Sequence, residues 1–230
     1  MKSYRLDTEI KHFLNKYFAF QIVEYPNKQY VVLEGKIDIV DDVNDYWGSF
    51  EVQIILNKNE YPHTIPVVIE KSGIIDRTID LHISKNGICC LDIPHVLDKM
   101  KRRGIIFTNF YVEVIYPFFA NYHYRKDKNE YASGDYKHGF AGVIQFYDEQ
   151  HDLTDIPYII SLLEIAIGPT KPERNRICPI CGKHKFKRCC GKKLMKLLSY
   201  GNERLREDLV LFREYISQEE NIVTTPHKSP

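Results

Sequence analysis

The sequence predicts an α+β protein with a small cysteine-rich module behind it. Three observations carry that expectation. An amphipathic helical pattern near the start is followed by stretches of two-residue alternation. Apolar and aromatic segments come next. Four cysteines then fall within 13 residues, from Cys178 to Cys190.

The length of 230 residues suits one medium domain with a small one behind it, or a single large one. A hydrophobic share of 43% and a charged share of 27% are ordinary for a globular chain. Sixteen Tyr and twelve Phe exclude low-complexity disorder over most of its length. Thirty-two basic against 31 acidic residues leave a formal charge of +1, which argues against whole-chain attraction to nucleic acid or membrane. No apolar run approaches the roughly 18 residues of a membrane span. The opening MKSYRLDTEIK has no apolar stretch behind its lysine, so no secretory leader is expected and the expected location is cytoplasmic.

Residues 7–18 read as an amphipathic helix, with Ile10, Phe13, Leu14, Tyr17 and Phe18 on one side and Asp7 or Thr8 as cap. A hairpin turn is expected at Tyr25–Gln29, around Pro26–Asn27. Leu33, Gly35, Ile37 and Ile39 alternate with Glu34, Lys36 and Asp38, as in a half-buried antiparallel strand. Phe50, Val52, Ile54 and Leu56 repeat the pattern ahead of a turn at Asn57–Glu60, and Val67–Ile69 forms a third short strand. Residues 71–104 carry no regular pattern, and a loop of that length in a compact domain is usually functional. Residues 105–122 read as a core helix despite Pro117, residues 123–138 as a loop, and residues 139–167 as apolar segments. The composition of 168–176, GPTKPERNR, is that of a linker. A charged helix is expected over 192–217. The resulting division is a domain at 1–167, a linker at 168–176, a cysteine-rich module with its helix at 177–217, and a flexible tail at 218–230.

The six cysteines form two clusters. With no export expected, a disulfide framework is disfavoured, and metal binding or nucleophilic chemistry takes its place. Cys178, Cys181, Cys189 and Cys190 supply four soft ligands, enough to close a tetrahedral zinc shell. Pro179 and Gly182 suit a tight knuckle, and the basic GKHKFKR between the pairs favours thiolates. His184 is an alternative ligand. Four protein ligands leave no open position for substrate, so the metal would be structural.

This stretch resembles the SEC-C motif, a short zinc element with a Lys-Phe-Lys centre ahead of a closing Cys-Cys or Cys-His. Two residues separate the first cysteine pair here, where the family usually has one. The resemblance implies a structural Zn2+ and a role in protein contact.

The second cluster lies in His82-Ile-Ser-Lys-Asn86-Gly87-Ile88-Cys89-Cys90-Leu91-Asp92-Ile93. A cysteine in an ordered irregular loop is a candidate nucleophile, Asn-Gly makes a turn that presents the next residues, and His82 is a nearby donor or base. A packed structural cysteine is the competing reading.

The order of features around this loop resembles ubiquitin-conjugating enzymes. A helix leads into an antiparallel meander, Gly48-Ser49-Phe50 opens a strand, and Tyr61-Pro62-x-x-x-Pro66 precedes the run Asn86-Gly87-x-x-Cys90-Leu91-Asp92-Ile93. The resemblance covers roughly residues 7–95, with weaker similarity to about 150. It implies a ubiquitin-conjugating-enzyme-like α+β fold, Cys90 as the thioester-forming cysteine, and Cys89 as a core residue where the family has an aliphatic one. The family's His-Pro-Asn motif is altered. His82 takes the Asn position and Asp80 the His position, a pattern similar to bacterial members in which His replaces Asn, so His82 becomes the candidate oxyanion donor. Asp92 and His138 are candidates for receiving the amine's proton. The tryptophan expected after the cysteine is missing.

The implied activity is acceptance of a ubiquitin-like protein from an activating enzyme and its transfer to an amine of a protein target, with bacterial antiphage defence as the implied setting. Membrane partners are not expected. Two other readings stay open: a non-catalytic module that binds a ubiquitin-like protein or target, and a nucleic-acid-binding zinc adaptor. The basic residues Lys183, Lys185, Lys187, Arg188, Lys192 and Lys193 would serve the latter. Lys101-Arg102-Arg103 is a further basic run that could meet an acidic partner.

Overall fold

Helix α1 (Lys2–Lys16) leads into β1 (Phe20–Val23), β2 (Tyr30–Val40), β3 (Tyr46–Asn57) and β4 (Val67–Glu70). These strands form one antiparallel sheet in the order β1-β2-β3-β4. Then come α2 (Pro94–Arg103), α3 (Phe107–Phe110), a π-helical segment (Tyr111–Ile115) and α4 (Tyr116–Lys128). The computed structural model describes residues 2–41, 43–128 and 136–224. The chain divides into two compact units, Met1–Asp135 and Tyr136–Pro230.

The alternation in β2 and β3 decides which face is inward. Leu33 pairs with Ile54 and Ile37 with Phe50, and all four are buried. On the other face Glu34 lies opposite Gln53, whose Nε2 donates to the Glu34 carboxylate at 2.7 Å. Fully burying a Leu, Ile or Phe contributes about 1.5–3 kcal/mol, so this stripe dominates the stability of the unit. Gly35 has a packing reason: a Cβ there would sit 2.5 Å from the Phe20 ring.

Helix α1 buries Leu6, Ile10 and Phe13, with the Phe13 ring 4.7 Å from that of Phe107. It ends at Lys16, two residues short of the expected Phe18, which is 86% exposed. Buried Tyr61 ties α1 to α3: its hydroxyl donates to Glu9 and its oxygen accepts from the Phe107 N–H at 3.1 Å. The Phe107 N–H donates to Glu9 at 2.8 Å.

Residues 105–122 are helical as expected, with a local widening. Pro117 has no N–H, and its ring excludes the carbonyl four residues back from a normal α-turn. The π-helical segment lies immediately before it. Helix α4 then runs on to Lys128, so the first part of the expected 123–138 loop is helical. Phe119 on this helix packs 4.9 Å from Phe50.

Helix α2 departs from the expectation of an irregular 71–104. Pro94 fits its first turn, where an N–H has no partner to lose, and Lys101, Arg102 and Arg103 sit in its last turn beside the carbonyl ends. Gly104, at φ 83°, stops it. Leu97 and Met100 pack on the core. Most of its residues are polar, which is why the pattern read as loop.

The second unit holds α5 (Gly139–His151), α6 (Ile156–Ile167), α7 (Cys190–Leu197) and α8 (Asn202–Thr224). Asp155 caps α6, accepting from the Tyr158 N–H at 2.8 Å. Helix α6 packs on α8 through Leu162, Leu163, Leu205, Leu209 and Phe212, all buried, and Arg213 pairs with Glu164 at 2.6 Å.

This alters the expected division. Helices α5 and α6 belong with the cysteine-rich module, and the boundary falls between Asp135 and Tyr136. The stretch 168–176 is tied down within the second unit: Lys171 Nζ donates to the carbonyls of Ala166 and Gly168 at 2.6 and 2.8 Å, closing the end of α6. The single helix expected over 192–217 is two, broken at Gly201, whose φ is 99°. The start of the expected 218–230 tail continues α8 to Thr224, and its remainder lies outside the described residues. Among the described residues, no helix is long and apolar enough to cross a membrane.

Candidate functional sites

The first site is the loop between β4 and α2. Ser84-Lys85-Asn86-Gly87 forms a turn, with the Gly87 N–H donating to the Ser84 carbonyl at 2.9 Å. Gly87 is required twice. Its φ is 81°, and a Cβ would lie 2.7 Å from the Glu70 carbonyl oxygen. The residues after the turn extend the sheet edge. Ile88 bridges Ile69, Cys89 bridges Ile83, and the Cys89 N–H donates to Val68 at 2.9 Å.

An extended segment sends neighbouring side chains to opposite faces. Cys89 therefore turns into the core and is 7% exposed, whereas Cys90 is exposed. Burial pushes the Cys89 thiol up to about 12, so it stays protonated and unreactive at neutral pH. The Cys90 N–H donates to the His82 carbonyl at 2.8 Å, which holds the two residues side by side at the backbone. His82 is half-buried and left-handed, at φ 55°, where it ends a short 3₁₀ turn at Ile79–Leu81.

Four residues that sequence reasoning missed pin this loop. Glu70 is 1% exposed, and its carboxylate accepts from Arg77 at 2.5 Å, the Gly73 N–H at 3.1 Å and the Ser72 hydroxyl. Arg77 also donates to the Glu70 carbonyl at 2.9 Å. From α4, Tyr122 donates to Ile74 at 3.1 Å and Arg125 to Asp80 at 2.6 Å. The only signal in the sequence was a glutamate at an inward register position of β4, in step with Val68.

Asp92 is partly buried and accepts from the Ile93 N–H at 2.7 Å, and burial raises its carboxyl above the usual range. His138 lies in the second unit, at the N-cap of α5. The basic run Lys101–Arg103 is the last turn of α2, with Lys101 paired to Asp98 at 2.8 Å.

The second site is the cysteine cluster. Residues 177–185 fold as a miniature hairpin, with Ile177 bridging Lys185 and the Cys178 N–H donating to the His184 carbonyl at 2.8 Å. Gly182 takes φ 63° in the knuckle. Buried Phe186 anchors the return, and a Cβ on Gly191 would lie 2.7 Å from its carbonyl oxygen. Cys189, at φ −131° and ψ −105°, makes the sharp entry to α7, of which Cys190 is the first residue.

The sulfurs of Cys178, Cys181, Cys189 and Cys190 all lie within 4.8 Å of one another, and Cys181 and Cys189 are 3.5 Å apart. Sulfurs about 2.3 Å from a tetrahedral zinc would be about 3.8 Å apart, so the group fits that ion. Backbone N–H groups of Lys183 and His184 pull the Cys181 thiol down to about 6. Burial pushes the Cys190 thiol up. His184 is exposed and outside the group. The cluster can hold a metal ion. Tyr158 of α6, unmarked in the sequence, donates its hydroxyl to the Cys190 sulfur at 3.1 Å.

No family model, curated protein or solved structure matches the chain.

Proposed function

We propose that the chain is a ubiquitin-like protein conjugating enzyme of ubiquitin-conjugating-enzyme-like fold, with Cys90 as its nucleophile and a SEC-C-like zinc module behind. The observation that supports this most is the separation of two adjacent cysteines. Cys89 is locked in the core as a neutral thiol, while Cys90 stands exposed on a loop pinned to the sheet edge. A helix, a four-stranded antiparallel meander, the cysteine loop and further helices come in the order the resemblance implies.

The chemistry runs in two steps. The Cys90 thiolate attacks the thioester carbonyl carried by an activating enzyme, forms a new S–C bond and expels that enzyme's thiolate. A target amine then attacks the Cys90 thioester. The carbonyl oxygen gains charge in the tetrahedral intermediate, the amine loses a proton to a base, and the Cys90 thiolate leaves. His82 is assigned the oxyanion contact. Asp92 is assigned the proton, because a carboxyl raised by burial is a better match to proton transfer near neutrality than an exposed one. A zinc ion held by Cys178, Cys181, Cys189 and Cys190 supplies a structural cross-link and takes no part in transfer. A cytoplasmic location and a bacterial antiphage setting complete the proposal.

The test is incubation with ATP, a ubiquitin-like protein and the activating enzyme that charges it. A covalent adduct on Cys90 that reducing agent removes is the expected product. An adduct that forms equally in Cys90→Ala removes the assignment, and noncovalent binding alone makes the chain a binding module.

A further inference from the structure

Tyr158 is half-buried on the first turn of α6, 32 residues before Cys190. Its hydroxyl nevertheless donates to the Cys190 sulfur at 3.1 Å. A second tie runs back from α7. Lys193 Nζ donates to the Asp152 carbonyl at 2.9 Å, in the link between α5 and α6, and lies 5.8 Å from the centre of the Tyr158 ring. Asp155 holds the start of α6 by accepting the Tyr158 N–H at 2.8 Å, which fixes the backbone from which the phenol projects.

A metal bound by four thiolates carries more negative charge on sulfur than the cation cancels. Hydrogen-bond donors to the sulfurs offset that charge and orient the ligands. Amide donors reach Cys181 from Lys183 and His184. Cys190 is buried at the helix start, and the hydroxyl of Tyr158 serves it.

We propose that Tyr158 is a positioning residue of the metal centre. It holds the Cys190 ligand by an O–H···S bond and thereby locks α6 to the metal knuckle. This rests on the zinc reading of the four cysteines. It extends that reading to a residue outside the cysteine stretch, and it gives α6 a reason to belong to the second unit.

The full-length chain is prepared as wild type and as Tyr158→Phe, which keeps the ring and removes only the hydroxyl. Zinc affinity is measured by competition with a chelator, and each protein is also loaded with Co2+ for its sulfur-to-metal charge-transfer band. Tyr158→Phe is expected to weaken zinc binding about 10- to 100-fold. Its band should move to longer wavelength, because a thiolate without its donor gives up charge more easily. Alkylation of Cys190 should also rise relative to the wild type. A fluorinated tyrosine at position 158, a stronger donor, should shift the band the opposite way, and this variant keeps the test decisive if the Phe variant misfolds. Unchanged affinity and an unchanged band in Tyr158→Phe, with the wild type binding zinc, would overturn the role of Tyr158 alone. A wild type that binds no zinc overturns the metal reading itself, and the wild-type measurement shows that before any variant is compared.

Discussion

The chain contains two adjacent cysteine pairs, and the backbone treats them oppositely. At Cys89–Cys90 the segment is extended and bridged to β4, so one sulfur enters the core and the other faces outward. At Cys189–Cys190 the backbone turns sharply into α7, and both sulfurs join Cys178 and Cys181 within 4.8 Å. The same dipeptide thus gives one isolated exposed thiol in the first unit and half of a four-sulfur cluster in the second. Local φ/ψ decides between the two outcomes, not cysteine chemistry.

The strongest way to break this contrast is at the first pair. Cys90→Ala should abolish the reducible adduct, and Cys89→Ala should leave it, as intact mass shows. At the second pair, replacing any one of the four ligands with Ser should lower bound zinc, measured by elemental analysis. Hydrogen exchange should then rise in α6 and α7 and remain unchanged in β2 and β3. Glu70 braces the first site, and the loss of its partner comes next in size. Arg77→Met should cost about 3–5 kcal/mol, read by denaturant unfolding, because it strands a buried carboxylate.

Two smaller effects sharpen the contrast. Asp92 has a raised carboxyl, so folding favours its protonated form, and stability falls as pH climbs from the ordinary carboxylate range through the raised value. Asp92→Asn should remove that slope and slow discharge of the thioester to lysine severalfold, most at the pH where the carboxylate is ionised. At the small end, Cys89→Ala should cost about 1 kcal/mol through lost packing. Iodoacetamide at pH 8 should label Cys90 and spare Cys89, whose thiol ionises only as pH rises towards about 12.

Features that repeat or cluster were legible in the sequence. Alternation placed β2 and β3 and their inward residues, and close spacing placed the four metal-site cysteines. The resemblance to ubiquitin-conjugating enzymes, not periodicity, set Cys89 apart from Cys90. Contacts made by single polar residues over long separations were not legible. Glu70 with Arg77, Arg125 with Asp80 and Tyr158 with Cys190 leave no periodic trace. Helix α2 was hidden because a short helix with a largely polar surface resembles a loop in composition. The boundary was misplaced because Pro- and Gly-containing composition marks an irregular segment, and 168–176 is irregular yet fastened by Lys171.

Each unit is one uninterrupted stretch of chain, and this has a consequence for synthesis. The ribosome completes every residue of the Cys90 loop, and α4 that braces it, before Tyr136 is added. Chains emerge at about 5–20 residues per second, and domains generally fold as units in that order. The first unit therefore has seconds to close its sheet while none of the four clustered cysteines has yet been made. Under the proposed zinc reading, metal supply would be a checkpoint for the later half of the chain alone, and a zinc-starved cell would accumulate molecules with a finished sheet and an unfinished C-terminal unit.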